Sequence, residues 1–185
     1  MNSVPIKRAG RILRDGGIVA YPTEGVFGLG CLPDDAAAVE RILAIKQRDV
    51  AKGLILIASS AAQLLDWIEL PNAAASLPAP KENPITWIVP AAKRLPYWIC
   101  GENPGVAVRI TSHPVAAALC DEAASALVST SANFAGHAPV RNRHVLRRCF
   151  RDLVDCIVPG QPGSLNAPSE IRDFTSGEIR RPGAA

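Results

Sequence analysis

Residues 17–30 read GIVAYPTEGVFGLG, and the way this run folds decides the architecture. The apolar stretch 17–21 has the length of a buried strand, and it breaks at Pro22, which has no N–H to give to a ladder. Residues 21–30 then place a proline, a hydroxyl, a carboxylate and three glycines within ten positions, and the segment after the first strand reads as loop. In α/β sheets ligands gather where such loops leave the strands. The glycines would let a ligand approach backbone amides closely, although a tight loop that needs positive φ explains the same letters. The segment is not a P-loop, because the Gly-Lys-Ser/Thr ending is absent.

Working outward, Ile6, Ala9, Ile12 and Leu13 recur at helical spacing and predict a helix over about 3–15, stopped by Gly16-Gly17. Downstream, Asp34-Asp35 suits an N-cap, and Val39, Ile42 and Leu43 form the apolar stripe of a helix running to about Lys46. Residues 54–58 (LILIA) predict a second buried strand. Ser59 or Ser60 caps an expected third helix containing Leu64, Leu65 and Trp67, after which prolines punctuate a loop over 71–84. Further strands are expected over 85–89, 106–110, 127–129, 155–158 and 169–173, with helices over 114–123 and 145–150. Short strands scattered among helices predict an α/β fold, a single layered domain over residues 1–185.

The length of 185 residues fits one domain. A hydrophobic share of 48% with 20% charged residues is ordinary globular usage, which excludes a disordered or fibrous chain. The formal charge of +3 is too small to argue for a general polyanion binder. Five cysteines, odd in number and without a Cys-x-x-Cys pair, fit neither a disulfide framework nor a structural zinc site. The charged first fifteen residues are no secretory signal, and no uncharged run approaches the roughly 18 residues of a membrane span. A cytoplasmic location without membrane contact is expected.

Two further places could carry chemistry. Lys46, Gln47, Arg48 and Lys52 bring three cations together where a helix ends and a strand begins. Cations near a helix C-terminus are mildly favourable on structural grounds alone, yet clustered cations repel unless an anion joins them, and a polyphosphate is such an anion. Residues 127–136 (LVSTSANFAG) end a strand in Ser129, Thr130, Ser131 and Asn133, a cradle for a carboxylate or phosphate or a set of side-chain turns. Weaker candidates are a Cys31/His113 hydrolase and the stripe of Arg141, Arg143, Arg147, Arg148 and Arg151. The spacing puts Arg143, Arg147 and Arg151 on one helical face, which is either solvated or an RNA phosphate contact.

Taken together the motifs resemble the YrdC-like family of threonylcarbamoyl-AMP synthases in its short single-domain bacterial form. The likeness rests on Tyr21-Pro22-Thr23-Glu24 with Gly28-Leu29-Gly30, and on Lys46-Gln47-Arg48 with Lys52. It continues in Val108-Arg109 ahead of His113-Pro114, in Ser129-Thr130-Ser131-Ala132-Asn133 with Gly136, and in Pro168-Ser169-Glu170-Ile171. The resemblance implies a twisted mixed sheet flanked by helices, with a concave basic ligand surface. It implies a nucleotidyltransferase that joins L-threonine, bicarbonate or CO2 and ATP into threonylcarbamoyl adenylate and releases pyrophosphate, and a separate complex that transfers the group to the tRNA adenosine beside the anticodon.

Carried onto this sequence, Lys46 and Arg48 are the catalytic clamp, joined by Lys52, Ser131, Asn133 and Arg181 around ATP. Thr23, Arg109, Ser129 and Ser169 would hold threonine. Mg2+ would accompany ATP, without a dedicated metal cage and without an organic prosthetic group. Replacing Lys46 or Arg48 by alanine is expected to remove adenylate formation and leave the fold intact. The chain departs from the family at Gly25, where many members have threonine, and at Glu82-Asn83-Pro84, where Pro-Gly-Pro is usual. An RNA- or ribosome-associated binder of the same fold without turnover is the alternative, motivated by the arginine stripe.

Overall fold

In the computed structural model, which describes residues 3–72, 75–80, 84–165 and 169–183, the apolar runs line up side by side. Helix α1 (Val4–Arg14) buries Ile6, Ala9 and Leu13. It stops at Gly16, whose φ of 82° glycine adopts without steric cost. Strand β1 (Val19–Pro22) is buried throughout, and β2 (Phe27–Gly30) returns antiparallel to it with Val19 opposite Gly30 and Pro22 opposite Phe27. Residues 27–30 are therefore strand, where the sequence predicts loop. Alternate glycines weaken the local strand signal, but Gly30 is required by the neighbour, since a Cβ there would lie 2.4 Å from Val128 O. Pro22 remains in the pairing because it ends the strand, and the Phe27 N–H goes instead to Val140 O at 2.9 Å.

Helix α2 (Ala36–Lys46) is capped by Asp35, which accepts from Ala38 N at 2.9 Å, and it closes on Gln47 in the left-handed region. A 3-10 turn at Val50–Lys52 leads into β3 (Ile55–Ala58). The expected third helix is corrected to a 3-10 turn, Ala61–Leu64, with Leu65 and Trp67 beyond it. Gln63 Oε1 takes the Ser59 N–H at 3.0 Å and Trp67 N bonds back to Leu64 O at 2.8 Å, so the chain curls rather than extends. Of the departure at 82–84, residues 82 and 83 lie outside the described residues, as does Pro168.

Strand β4 (Ile85–Pro90), the single turn α3 (Tyr97–Cys100), β5 (Gly105–Ile110), α4 (Pro114–Ala123) and β6 (Leu127–Ser131) come next. His113 opens α4 as its cap, with Nδ1 accepting from Val115 N at 3.3 Å. Helix α5 (Arg143–Phe150) and strands β7 (Cys156–Ile157), β8 (Glu170–Asp173) and β9 (Ile179–Arg181) complete the described elements. Neither α3 nor β9 is anticipated from the sequence, the first being one turn and the second exposed at all three positions.

Among the described residues nine strands form one mixed sheet in the order β7-β1-β2-β6-β3-β5-β4-β8-β9. Its fourth strand is β6, antiparallel both to β2 (Gly28 opposite Ser131) and to the middle strand β3 (Ile55 opposite Ser129). Helices α1 and α4 cover one face through Ile6, Leu13, Leu119 and Ala123 against Val19, Tyr21, Ile57 and Leu127. The opposite face buries Phe27, Leu29, Leu56, Val108 and Val128 with Ile42 of α2 and Phe150 of α5. Both faces of the central strands are thus dry, which explains why these runs show no strict alternation. No helix of the described residues is long and apolar enough to cross a membrane.

Candidate active site

A cavity of about 610 Å³ opens where the β1–β2 turn, the basic segment after α2, and β5, β6, β8 and β9 meet. Of the residues singled out in the sequence, Thr23, Arg48, Lys52, Arg109, Ser129, Ser131, Ser169 and Arg181 line it. The sheet order brings them together, because β5 and β6 carry Arg109, Ser129 and Ser131 on strands that flank β3.

Arg109 is the best-defined member. Its Nη1 donates to Ser169 Oγ at 3.2 Å, and Ser169 Oγ also shares a hydrogen bond with Thr86 Oγ1 at 2.8 Å. On its other side Nη2 lies 3.4 Å from Glu24 Oε2, in an ion pair whose side chains are only 11% and 7% exposed. Arg181, from β9, donates to Ser169 O at 2.8 Å. Burial and the nearby Arg109 charge push the Arg181 guanidinium below its ordinary value, so an anion entering here relieves a real repulsion.

Lys46 lies one turn beyond Ile42 on the buried face of α2 and does not line the cavity. Its Nζ donates to Ser131 O at 2.6 Å, to Asn133 O at 3.0 Å and to Asn133 Oδ1, with Ser131 Oγ at 3.4 Å. Burial and the Arg48 charge push the ammonium down to about 8, against the pull of those oxygens. Asn133 stands behind the wall too, its amide nitrogen donating to Phe134 O (3.0 Å) and His137 O (2.8 Å). Lys46 therefore pins the loop after β6, and through it sets where Ser131 faces the cavity. Arg48, whose guanidinium donates to Gly53 O at 2.8 Å, and Lys52 are the cations of that segment on the wall itself.

Two wall residues, Glu24 and Arg141, have no site role in the sequence pattern: Glu24 stands inside the first motif and Arg141 at the start of the arginine stripe. Arg141 donates to Leu165 O at 2.5 Å and to Gly163 O at 3.4 Å, while Gly163 N and Leu165 N bond to Thr23 O (2.9 Å) and Glu24 O (3.1 Å). Residues 163–165 thus strap the 23–25 turn. This accounts for Gly25, where a Cβ would lie 2.9 Å from Leu165 O. Gly25→Thr, which restores the family's usual residue, should displace the strap and lower stability by about 1–3 kcal/mol, read as a lower melting temperature. An unchanged melting temperature would show that the strap yields freely.

The arginine stripe divides. Arg143 and Arg147 line a separate open cleft with Arg141, Asn142, His144 and Gln161, whereas Arg151 pairs with Asp152 at 3.2 Å. Cys31 is fully buried and burial pushes its thiol up, while His113 Nε2 is hydrogen bonded to Gln161 O at 3.1 Å. That removes the basis for a Cys31/His113 nucleophile. Among the described residues no group of three or more His, Cys, Asp or Glu could hold a metal ion.

Among the described residues, one cavity of the mixed α/β sheet thus gathers the Glu24-paired Arg109 with four further cations, Arg48, Lys52, Arg141 and Arg181, a composition that suits a small anionic molecule. The family model of the Sua5/YciO/YrdC proteins, which carries the description "Telomere recombination", matches residues 11–183. The chain belongs to this family. It is 46% identical over 184 residues, 97% of this chain and 98% of the relative, to the threonylcarbamoyl-AMP synthase of Xanthomonas euvesicatoria pv. vesicatoria. With the same-named protein of Nitrosococcus oceani it shares 47% over 179 residues, covering 95% and 96% of the two chains. Among solved structures, P. abyssi Sua5 complexed with L-threonine superposes with a TM-score of 0.84 at 30% identity, over 96% of this chain and 54% of that one. E. coli YciO gives 0.82 at 26% identity, over 100% and 92%. The chain thus spans about half of the P. abyssi protein but nearly the whole of its curated relatives.

Proposed function

We propose that the chain is a threonylcarbamoyl-AMP synthase, a nucleotidyltransferase that uses ATP and L-threonine as substrates in the cytoplasm. The observation that carries this reading is the single cavity that joins the Arg109–Ser169 carboxylate site to Arg48, Lys52 and Arg181. Relatives named for this activity share 46% and 47% of their residues with it over nearly their full length.

Arg109 receives the threonine carboxylate, and Thr23, Ser129 and Ser169 supply hydroxyls around the amino acid. Thr23 keeps its acceptor side free, because its hydroxyl proton already goes to Val26 O at 2.8 Å. The amine captures CO2 derived from bicarbonate, and a carbamate oxygen attacks the α-phosphorus in line as pyrophosphate leaves. Such a displacement needs positioning and charge neutralisation more than covalent help. Arg48, Lys52 and Arg181 neutralise the phosphates, and Lys46 holds Ser131 against them. Among the described residues the wall offers one carboxylate, Glu24, already paired with Arg109, so these donors do not build an Mg2+ cage. Mg2+ would come with the nucleotide as part of the substrate and would add to the charge neutralisation that Arg48, Lys52 and Arg181 supply. The labile adenylate then passes to a tRNA-modifying transfer complex. Threonine- and bicarbonate-dependent release of pyrophosphate from ATP tests the assignment, and release that ignores threonine would remove it.

Direct RNA contact is a second reading, favoured by the cleft of Arg143 and Arg147, which shares Arg141 with the cavity. The Arg143→Ala/Arg147→Ala double variant should weaken RNA binding and reduce the slope of log affinity against log salt by about 2, roughly 0.9 for each phosphate left unpaired. An unchanged slope would leave these arginines as a solvated face. Arg151 lies outside the cleft and beside Asp152, and is expected to contribute less than Arg143 or Arg147.

A further inference from the structure

Among the described residues the cavity wall carries five cationic side chains, Arg48, Lys52, Arg109, Arg141 and Arg181, and one acid, Glu24. That acid is held firmly. Glu24 is 6% exposed, and its Oε1 accepts from the Thr111 hydroxyl at 2.6 Å and from Ser112 N at 3.0 Å. Its Oε2 is buried without a hydrogen bond, although Arg109 Nη2 is 3.4 Å away, and Arg109 Nε is likewise buried without one. A carboxylate and a guanidinium that served only each other would close into a two-bond fork. Here each keeps one buried atom without a hydrogen bond, and both residues line the same cavity.

An α-amino acid presents a carboxylate and a nitrogen on one carbon. Once the carboxylate is on Arg109, the nitrogen lies within a few ångströms of that guanidinium, in a wall otherwise positive. An opposite charge within about 4–6 Å is enough to favour an ammonium there, and Glu24 is the group that supplies it. We propose that Glu24 determines specificity for the amino nitrogen of the substrate, the amino acid lying across the Glu24–Arg109 pair. This rests on the reading of the cavity as an amino-acid site. A carboxylic acid without the nitrogen meets Glu24 as an unanswered negative charge and is rejected.

Glu24 does not take the proton. Burial pushes its carboxyl up, but the Arg109 charge and the Thr111 hydrogen bond outweigh burial and hold it below the usual carboxylate value. It remains an anion that holds the nitrogen first as ammonium and later through the one N–H left on the carbamate; of the two protons lost as the amine adds to CO2, one is consumed in dehydrating bicarbonate and the other passes to solvent water through the cavity mouth.

The test compares L-threonine with 3-hydroxybutyrate, the same skeleton without the nitrogen, by calorimetric titration of the full chain. The wild type should prefer threonine by at least about tenfold, and Glu24→Gln should weaken threonine by about 30-fold or more, the scale of an unpaired buried charge. Affinity for 3-hydroxybutyrate should hold or rise in the same variant, because Arg109 is then free for its carboxylate. An equal loss for both ligands would mean that Glu24 only holds Arg109, and unchanged threonine affinity would mean that it reads nothing; either overturns the proposal. A wild type that binds neither ligand overturns the amino-acid site itself, and is recognised before any substitution is made. Should Glu24→Gln fail to fold by thermal melting, Thr111→Val keeps the charge and frees Oε1. It should give a smaller loss confined to threonine, and a loss shared by both ligands overturns the proposal.

Discussion

Arg109→Ala is expected to remove threonine-dependent pyrophosphate release and to destabilise the chain together. The first effect arises because the carboxylate loses its partner, which for a buried charge pair costs about 2–5 kcal/mol, or roughly 30- to 5,000-fold in affinity. The second arises from Glu24. With Arg109 gone, a carboxylate whose side chain is 7% exposed has no counterion, and breaking such a pair costs roughly 3–5 kcal/mol. At roughly 2–4 °C per kcal/mol for a chain of this size, that is on the order of 10 °C in melting temperature.

The pH dependence distinguishes this cause from a general packing defect. In the wild type the Glu24 carboxyl is held low, so its contribution is present above the unfolded pKa and is lost as pH falls through the folded one. In the variant the Arg109 charge no longer opposes burial and only the hydrogen bonds, chiefly those from Thr111 and Ser112, still do, so the carboxyl rises from its wild-type position and protonation relieves the unpaired charge. The melting-temperature gap between the two should therefore narrow as the pH falls from neutral. The Arg109→Ala/Glu24→Ala double variant should recover much of the stability and none of the activity, while Arg109→Lys restores charge without the fork and should recover activity poorly. A gap that stays constant with pH would contradict the pairing.

Lys46→Ala should lower turnover by about 10²–10³-fold, the scale of losing one organised donor system in a reaction of this kind, without removing a group from the cavity wall. Four oxygens of Ser131 and Asn133 surround its Nζ, and each buried acceptor left open costs on the order of 1–3 kcal/mol. The expectation that Lys46 can be removed with the fold intact is therefore revised, and a fall in melting temperature should accompany the lost activity. Arg48→Ala, on the wall, should instead spare the fold and remove adenylate formation, by loss of a phosphate contact. Because burial sets the Lys46 ammonium low, its folded pKa lies below its unfolded one. The unfolded chain then binds more protons between about 8 and the ordinary value, and this group's contribution to stability rises across that window. Activity should move the other way, declining above about pH 8 as the pinning charge is lost. Loss of activity and stability together on that alkaline limb would contradict the assignment.

The sequence made the helices and buried strands legible wherever an apolar period was long enough, as in α1, α2, α4 and β3 to β6. It hid β2 because glycine at 28 and 30 reads as loop, while the reason for Gly30 lies on another strand, at Val128 O. It hid β9 because Ile179, Arg180 and Arg181 are exposed and held by pairing with β8. The site residues were largely legible as types and poorly as directions. Lys46 and Arg48 stand two apart on the chain, yet the left-handed turn at Gln47 sends one behind the wall and leaves the other on it. Glu24 became meaningful only once β5 brought Arg109 beside it, a pairing across 85 positions of sequence that no local pattern announces.

Mass-spectrometric detection of the adenylate tests the central claim most directly. With ATP, Mg2+, bicarbonate and L-threonine the chain should form threonylcarbamoyl adenylate and pyrophosphate, and omission of threonine or replacement of Arg109 by alanine should abolish both. Absence of the adenylate with all substrates present, or the same yield from the Arg109→Ala variant, would contradict it.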